Sequence, residues 1–179
     1  MAENLKTTTL IDGTVIPKII DELSWYRLTS PGYCWYNNDE VVNKKTYGAL
    51  YNWYTVNTAK LCPAGWHVPT DSDWAELITF LGGADIAGGK LKNKTGWRSA
   101  DNYSNNESGF SGLPGGYGGI LGFYNMNILG LWWSSSILKS SLLNEVVFAY
   151  TLELLDVNPN ALLTTEELQA GLSVRCLKD

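Results

Sequence analysis

Apolar and polar positions along the chain follow different patterns, and each pattern predicts a different element. At Leu10-Ile11-Asp12-Gly13-Thr14-Val15-Ile16 an Asp-Gly pair separates two apolar runs. Asp and Gly accept the backbone of a tight two-residue turn, so a hairpin is expected over about 8–20. Tyr33-Cys34-Trp35-Tyr36 is β-prone and stops at the turn-forming Asn37-Asn38-Asp39. Between Lys44 and Val56, Tyr47, Leu50, Tyr51 and Tyr54 recur every three or four residues, which predicts a first helix with one buried face. A second helix is expected after Thr70. Thr70 and Asp73 have capping-box spacing, Trp74, Leu77, Ile78 and Leu81 form one stripe, and Gly82-Gly83 supplies the stop.

Beyond Gly83 the helical period fades. Glycine pairs at Gly88-Gly89, Gly115-Gly116 and Gly118-Gly119 predict long loops and short strands. Val146, Phe148, Tyr150, Leu152 and Leu154 alternate with a set that includes Thr151 and Glu153, so 146–154 reads as a strand with one apolar face. Leu172 to Leu177 is expected to be the closing strand. No repeat, low-complexity tract or linker divides the chain, and residues 1–179 are expected to form a single domain.

Composition narrows the function classes. With 179 residues, 45% hydrophobic and 17% charged, the chain is able to bury a substantial core. A net charge of −5 argues against a phosphate-binding surface, so nucleic acid is not an expected partner. No apolar run approaches the roughly 20 residues of a membrane span, and no membrane insertion is expected. Met-Ala-Glu-Asn-Leu-Lys lacks the basic-then-apolar pattern of a signal peptide, which implies a trimmed export signal or another route of release. Eight Trp, ten Tyr and eighteen Gly make an aromatic, turn-rich chain, suited to a core, to a stacking surface, or to both. Cys34, Cys62 and Cys176 allow three single disulfides and leave one thiol over; Cys62 with Cys176 is the pair favoured if the protein is exported.

Candidate chemistry is sparse. His67, the only histidine, titrates near neutrality but has no nearby nucleophile in sequence, so a packed, hydrogen-bonded role is expected rather than that of a base. Asp71, Asp73 and Glu76 fall in the first turns of the second expected helix, where capping and the helix dipole account for acids. No cysteine or histidine spacing suggests a metal site, and no cofactor is expected. The acids are scattered, with no evident pair for a glycosidase. Asn93-Lys94-Thr95, Asn102-Tyr103-Ser104 and Asn106-Glu107-Ser108 match the glycosylation pattern and read as polar loops.

Tyr47-Gly48-Ala49-Leu50-Tyr51-Asn52-Trp53-Tyr54, the run from Leu61-Cys62-Pro63-Ala64-Gly65-Trp66-His67-Val68-Pro69-Thr70 to Trp74, and Ala87-Gly88-Gly89-Lys90-Leu91-Lys92 resemble the Fibrobacter succinogenes major paralogous domain family. So do Gly109-Phe110, Leu113-Pro114-Gly115-Gly116-Tyr117, Trp132-Trp133-Ser134-Ser135 and the ending Ser173-Val174-Arg175-Cys176, in order from about Asp12 to Asp179. The family is common in Bacteroidetes and related bacteria, often in exported proteins. The Gly-Trp-His-Val-Pro-Thr word and the Arg-Cys ending also resemble formylglycine-generating enzymes, whose fold is a variant of the C-type lectin fold. The resemblance implies an α+β, C-type-lectin-like fold with two helices, small antiparallel sheets, paired end strands and a long irregular loop-rich half.

Two stretches depart from the family text, Ile137 to Leu143 and Asp156 to Ala170. Ordinary flanks around a divergent interior resemble the variable proteins of diversity-generating retroelements. The expected function is therefore a non-enzymatic receptor- or adhesin-type domain, extracellular or on a cell surface, or on a phage virion, that binds a protein or glycan through residues 117–170. Candidate contact residues are Phe123, Tyr124, Asn125, Asn127, Trp133, Ser135, Ile137 and Tyr150, aromatic and amide side chains offering flat area and hydrogen bonds at low conformational cost. Core placement is the competing reading for Phe123 and Tyr150, and one ring of Trp132-Trp133 is expected in the core. The alternatives are a structural module without a ligand and a formylglycine-generating-type oxidase. That oxidase would need a reactive cysteine pair, and only Cys176 lies in the C-terminal half. Asn158-Pro159-Asn160 echoes the calcium-site word of sugar-binding lectins but lacks its acid, and reads as a turn.

Overall fold

Side-chain caps decide where the helices begin. In the computed structural model, which describes residues 1–99, 103–139 and 146–179, Asp21 accepts from Ser24 N at 2.8 Å and opens α1 (Glu22–Tyr26). Asp39 caps α2 (Glu40–Thr46) and Asn52 caps α3 (Trp53–Val56). Thr70 and Asp73 form a reciprocal capping box on α4 (Asp71–Phe80), satisfying amides that have no partner inside the helix. Gly82 and Gly83, at φ 104° and 101°, end that helix, and α5 (Ala84–Leu91) follows at once.

Four of these helices, all but α4, differ from the sequence expectation. The helix predicted over 44–56 is two helices separated by a strand residue pair, because Gly48 turns at φ 79°. The amides that follow it pair elsewhere: Ala49 N donates to Leu5 O and Tyr51 N to Leu172 O, at 2.9 and 2.8 Å. Long-range pairing of the backbone overrides the helical spacing of the tyrosines. Helix α5 lies where loops were expected. Its Gly88 and Gly89 are not breakers but contact points: a Cβ on Gly88 would lie 1.9 Å from Asn160 O, and Gly89 N donates to Pro159 O at 3.0 Å. Helix α1 lies in a segment without apolar periodicity.

The strands are β1 (Tyr33–Cys34), β2 (Leu50–Tyr51), β3 (Trp66–His67), β4 (Tyr117–Gly119), β5 (Gly122–Tyr124), β6 (Leu129–Lys139), β7 (Val146–Leu155), β8 (Ala161–Glu167) and β9 (Leu177–Lys178). They form antiparallel pairs β1-β2, β3-β9 and β4-β5 and one three-stranded sheet, β6-β7-β8. The architecture is thus mixed α+β, with short helices and small antiparallel sheets. Asp12-Gly13 turns a hairpin closed by a Thr9–Val15 bridge and by Leu10 N donating to Thr14 O at 2.8 Å. The expected closing strand is segmented: Leu172 bridges Tyr51, Ser173 bridges Trp132, and only Leu177–Lys178 pairs with Trp66–His67.

Strand β6 divides the interior, since successive side chains on a strand point to opposite faces. Trp132 enters a core with Trp74, Leu91, Trp97 and Leu152, between the sheet and helices α4 and α5. Trp133 enters the other, with Trp35, Tyr51, Leu131 and Val174. Strand β7 is covered on both faces rather than one: Ala149 and Thr151 are fully buried on one, Leu152 and Leu154 on the other. A disulfide joins Cys62 to Cys176, and Cys34 remains a free thiol buried in a third cluster with Trp25, Tyr36 and Leu50. Among the described residues no helix is long and apolar enough to cross a membrane.

The contact at Gly88 yields a prediction. Gly88→Ala is expected to lower the unfolding free energy by about 2 kcal/mol or more, since it drives a methyl into backbone rather than into a movable side chain. Urea unfolding of the two proteins measures this, and a difference below about 0.5 kcal/mol, the range of neutral surface changes, would show that the 158–160 turn yields freely.

Candidate functional site

The hairpin β4-β5 and the end of β8 meet helix α1 around a cleft of about 380 Å³. Close approach of the backbones builds it. Gly118 pairs with Gly171 through hydrogen bonds of 2.9 and 2.8 Å, and Trp25 packs over Gly171, where a Cβ would lie 2.9 Å from its ring. Trp25 Nε1 donates to Gln169 O at 2.7 Å and fixes α1 against the chain that leaves β8. The residues that line the cleft include Tyr26, Tyr117, Tyr124, Phe148, Glu166 and Glu167. The Tyr117 and Tyr124 rings lie 5.4 Å apart with an interplanar angle of 33°, within the range of favourable aromatic pairs.

Charge in this region has one sign. Burial raises the pKa of the Glu166 carboxyl, and its neighbours Glu153 and Glu167 add to the shift. Glu153, on β7 facing the same side of the sheet, is raised by burial as well. The Tyr117 phenol is pushed up by burial, then by Glu166 and Tyr124. Each shift is chiefly the cost of burying charge, which favours the uncharged form, and no cation offsets it.

The expected contact residues do not share one surface. Tyr124 lines the cleft and is 36% exposed. Phe123, its neighbour on the strand, points the other way and packs on Tyr36, ring centroids 5.2 Å apart. Asn125 and Asn127 are exposed at φ 60° and 66°, a conformation that Asn tolerates better than most residues. They shape the turn into β6: Leu129 N donates to Asn125 O and Asn127 N to Pro114 O. Ile137 and Tyr150 are half-buried, Ile137 against the core that holds Trp133. Trp133 is a correction: it is fully buried, and its Nε1 donates to Tyr51 O at 2.7 Å, so it presents no surface to a ligand. Both rings of the Trp-Trp word are core.

Ser135 opens on a different cleft, of about 400 Å³, beside His67, Thr70, Asn57 and the Cys62 end of the disulfide. There His67 Nδ1 lies 2.6 Å from Asp179 Oδ1 and Nε2 lies 3.4 Å from Asp73 Oδ2. Asp73 Oδ2 also receives Thr70 N and Thr70 Oγ1, at 2.8 and 2.7 Å. Ser136 Oγ donates to Asp71 Oδ1 at 2.7 Å, linking β6 to the start of α4. Glu76 is exposed on α4. These acids cap the helix and hold the histidine. Among the described residues no group of three or more His, Cys, Asp or Glu is placed to hold a metal ion. Asn158-Pro159-Asn160 forms a turn that accepts from Lys92 Nζ at Asn158 O, 2.7 Å. The divergent text at 140–143 and the residue Asn102 of the second glycosylation pattern lie outside the described residues.

Sequence reasoning missed Tyr26, Glu166 and Glu167. The acids did leave a signal, since Glu153 and Glu166 stand at positions whose strand neighbours two away are buried or half-buried. An acid at such a parity is out of place in a purely structural strand. Tyr26 left none, because it reaches the cleft only through the packing of α1.

These features define a disulfide-tied, mixed α+β protein whose small sheets leave one aromatic cleft and one histidine-bearing cleft on its surface. The chain belongs to the Fibrobacter succinogenes major domain family, whose model matches residues 1–178. Neither a curated protein nor a solved structure matches it.

The histidine geometry yields a pH prediction. The pKa of His67 is raised above the ordinary 6.5, first by the Asp179 hydrogen bond; burial opposes it, and the Asp73 hydrogen bond and the charges of both acids add to the rise. A folded-state pKa above the unfolded one stabilises the fold fully below 6.5, and that contribution is lost as pH rises through the raised value. An NMR titration of the ring protons is expected to show a midpoint above 6.5 in the native chain and a lower one in Asp179→Asn. Equal midpoints would mean that the Asp179 side-chain carboxylate does not hold the ring in solution.

Proposed function

We propose that this chain is a non-enzymatic binding domain with a C-type-lectin-like fold, displayed outside the cell, on a cell surface or on a phage virion, that takes a protein or glycan ligand in the aromatic cleft. The observation that carries the reading is the cleft itself, where the Tyr117 and Tyr124 rings stand together with Glu166 and Glu167 in one concave site. Aromatic rings with adjacent polar groups in a concave site are the usual composition of ligand-binding surfaces. Most of its walls come from residues 117–170, the stretch that holds the divergent text from Asp156 to Ala170. Diversification of that text by a retroelement is part of the proposal. A binding role is favoured over an oxidase by the chemistry of the thiols: Cys176 is bonded to Cys62, and Cys34 is buried in a separate cluster.

Two experiments test this. The full chain, immobilised and screened against arrays of glycans and of cell-surface proteins, is expected to bind at least one member saturably. Tyr124→Ala is expected to weaken that binding about tenfold or more, the loss of roughly 1.4 kcal/mol of ring contact, while His67→Asn leaves it unchanged. No saturable binding anywhere would favour a structural module. Sequencing the gene across its source population is expected to show substitutions concentrated at adenines of the codons for 117–170. A uniform spread of substitutions would remove the retroelement from the proposal and leave the binding role intact.

A further inference from the structure

The walls of the aromatic cleft also specify the chemistry of its occupant, an inference that rests on the binding role proposed above. No Lys, Arg or His lines the cleft, and among the described residues Glu153, Glu166 and Glu167 have no ion-pair partner. The surface charges elsewhere are better matched: Glu40 sits between Lys18 and Lys44, Asp12 meets Lys60, and Glu107 meets Lys90. Glu166 and Glu167 line the cleft with Tyr117 and Tyr124, and Glu153 lies on the same face of the sheet as Glu166, so the cleft is a concave surface of uncompensated negative charge in a chain of net charge −5. Such a surface draws cations and raises their local concentration.

We propose that the cleft receives a basic side chain of a protein ligand, arginine before lysine, with the cation lying on the Tyr117 and Tyr124 rings and donating to Glu166. The ring faces carry negative quadrupole charge and attract a cation. A guanidinium is planar, stacks on an aromatic face, and matches a carboxylate with two parallel N–H donors. A neutral sugar uses the charge of the cleft less well: the tyrosine hydroxyls offer it donors and acceptors, but its own hydroxyls carry no charge to offset the carboxylates. Glu166 tolerates this role because it is half-buried rather than sealed, so a ligand is able to reach it.

The test uses the full chain and four probes: Nα-acetyl-arginine amide, its neutral isostere Nα-acetyl-citrulline amide, N-acetylglucosamine, and glucosamine as the cationic counterpart of the last. Binding is followed by NMR shifts of the Tyr117 and Tyr124 rings. The arginine amide is expected to bind saturably and at least about tenfold more tightly than the citrulline amide, the difference that one charge-assisted pair makes. Glu166→Gln and Tyr124→Ala are each expected to remove most of that preference, whereas Glu76→Gln, an exposed acid on α4, leaves it in place. Circular dichroism and thermal melting show that each variant is folded. Equal binding of arginine and citrulline amides, or binding of N-acetylglucosamine alone, overturns the cation inference and leaves the binding role standing. Tighter binding of glucosamine than of the arginine amide overturns the assignment to a protein ligand. No shift with any probe, together with silent arrays, overturns both readings.

Discussion

The guanidinium of Arg175 is buried, and it pairs with no carboxylate among the described residues. Its Nε and Nη2 donate to Asn4 Oδ1 at 3.2 and 2.8 Å, and its Nη1 donates to Phe110 O. It lies 4.0 Å from the Phe110 ring centroid and 5.7 Å from that of Trp132. The same Asn4 oxygen accepts from Trp132 Nε1 at 2.8 Å, while its amide nitrogen reaches Tyr47 O and Ser173 Oγ. Burial lowers the pKa of the guanidinium, and only a fully made set of acceptors offsets that cost. Segments far apart in sequence are therefore held in one arrangement, because displacing any of them leaves a buried charge or donor unsatisfied.

From that node the order of the interior follows. Trp132 is oriented by Asn4 and closes the core beneath α4 and α5, so Trp133, one residue on, is directed into the opposite core. The N-terminal segment is taken up as a rung, with Leu5 N donating to Val174 O and Leu5 O accepting from Ala49 N, both at 2.9 Å. The Cys62–Cys176 disulfide lies one residue beyond Arg175 and ties the same C-terminal segment to the start of the His67 word. Both clefts hang on this frame. The histidine cleft borders the disulfide, and the aromatic cleft is reached through Gly171 and the bridge to Gly118.

Local chemistry was legible in the sequence where one residue determines its own neighbourhood. The Thr70-Asp73 box, the Gly82-Gly83 stop and the Asp12-Gly13 hairpin rest on near neighbours and appear in the structure, and β7 is the strand its alternation predicts, although it is buried on both faces. What escaped depended on partners distant in sequence. The tyrosines from 47 to 54 had helical spacing, yet Leu5 and Leu172 claim the backbone between them. Gly88 and Gly89 looked like breakers because the turn at 159–160 that needs their bare backbone lies some seventy residues on. The candidate site suffered most. Which face a strand side chain takes is set by register, so Tyr124 and Phe123 were indistinguishable as text although one lines the cleft and the other packs on Tyr36.

Register also bears on how a binding surface is able to vary on a scaffold that must not. Strand β8 is an edge strand, paired on one side only, with β7. Ala161, Leu168 and Ala170 in and beside it are buried, and Asp156 before it is buried as well. Between them Leu162 and Leu163 are partly exposed, and Glu166 and Glu167 reach the cleft. A substitution at the second set changes what the cleft presents without opening a cavity, because those side chains fill no enclosed space. A substitution at the first set removes packing from a core that also holds Trp132 or Trp133. The divergent text from 156 to 170 thus contains two kinds of position interleaved at single-residue spacing. The small Ala161 and Ala170 stand where the strand meets the cores, and Glu166 and Glu167 stand at the cleft.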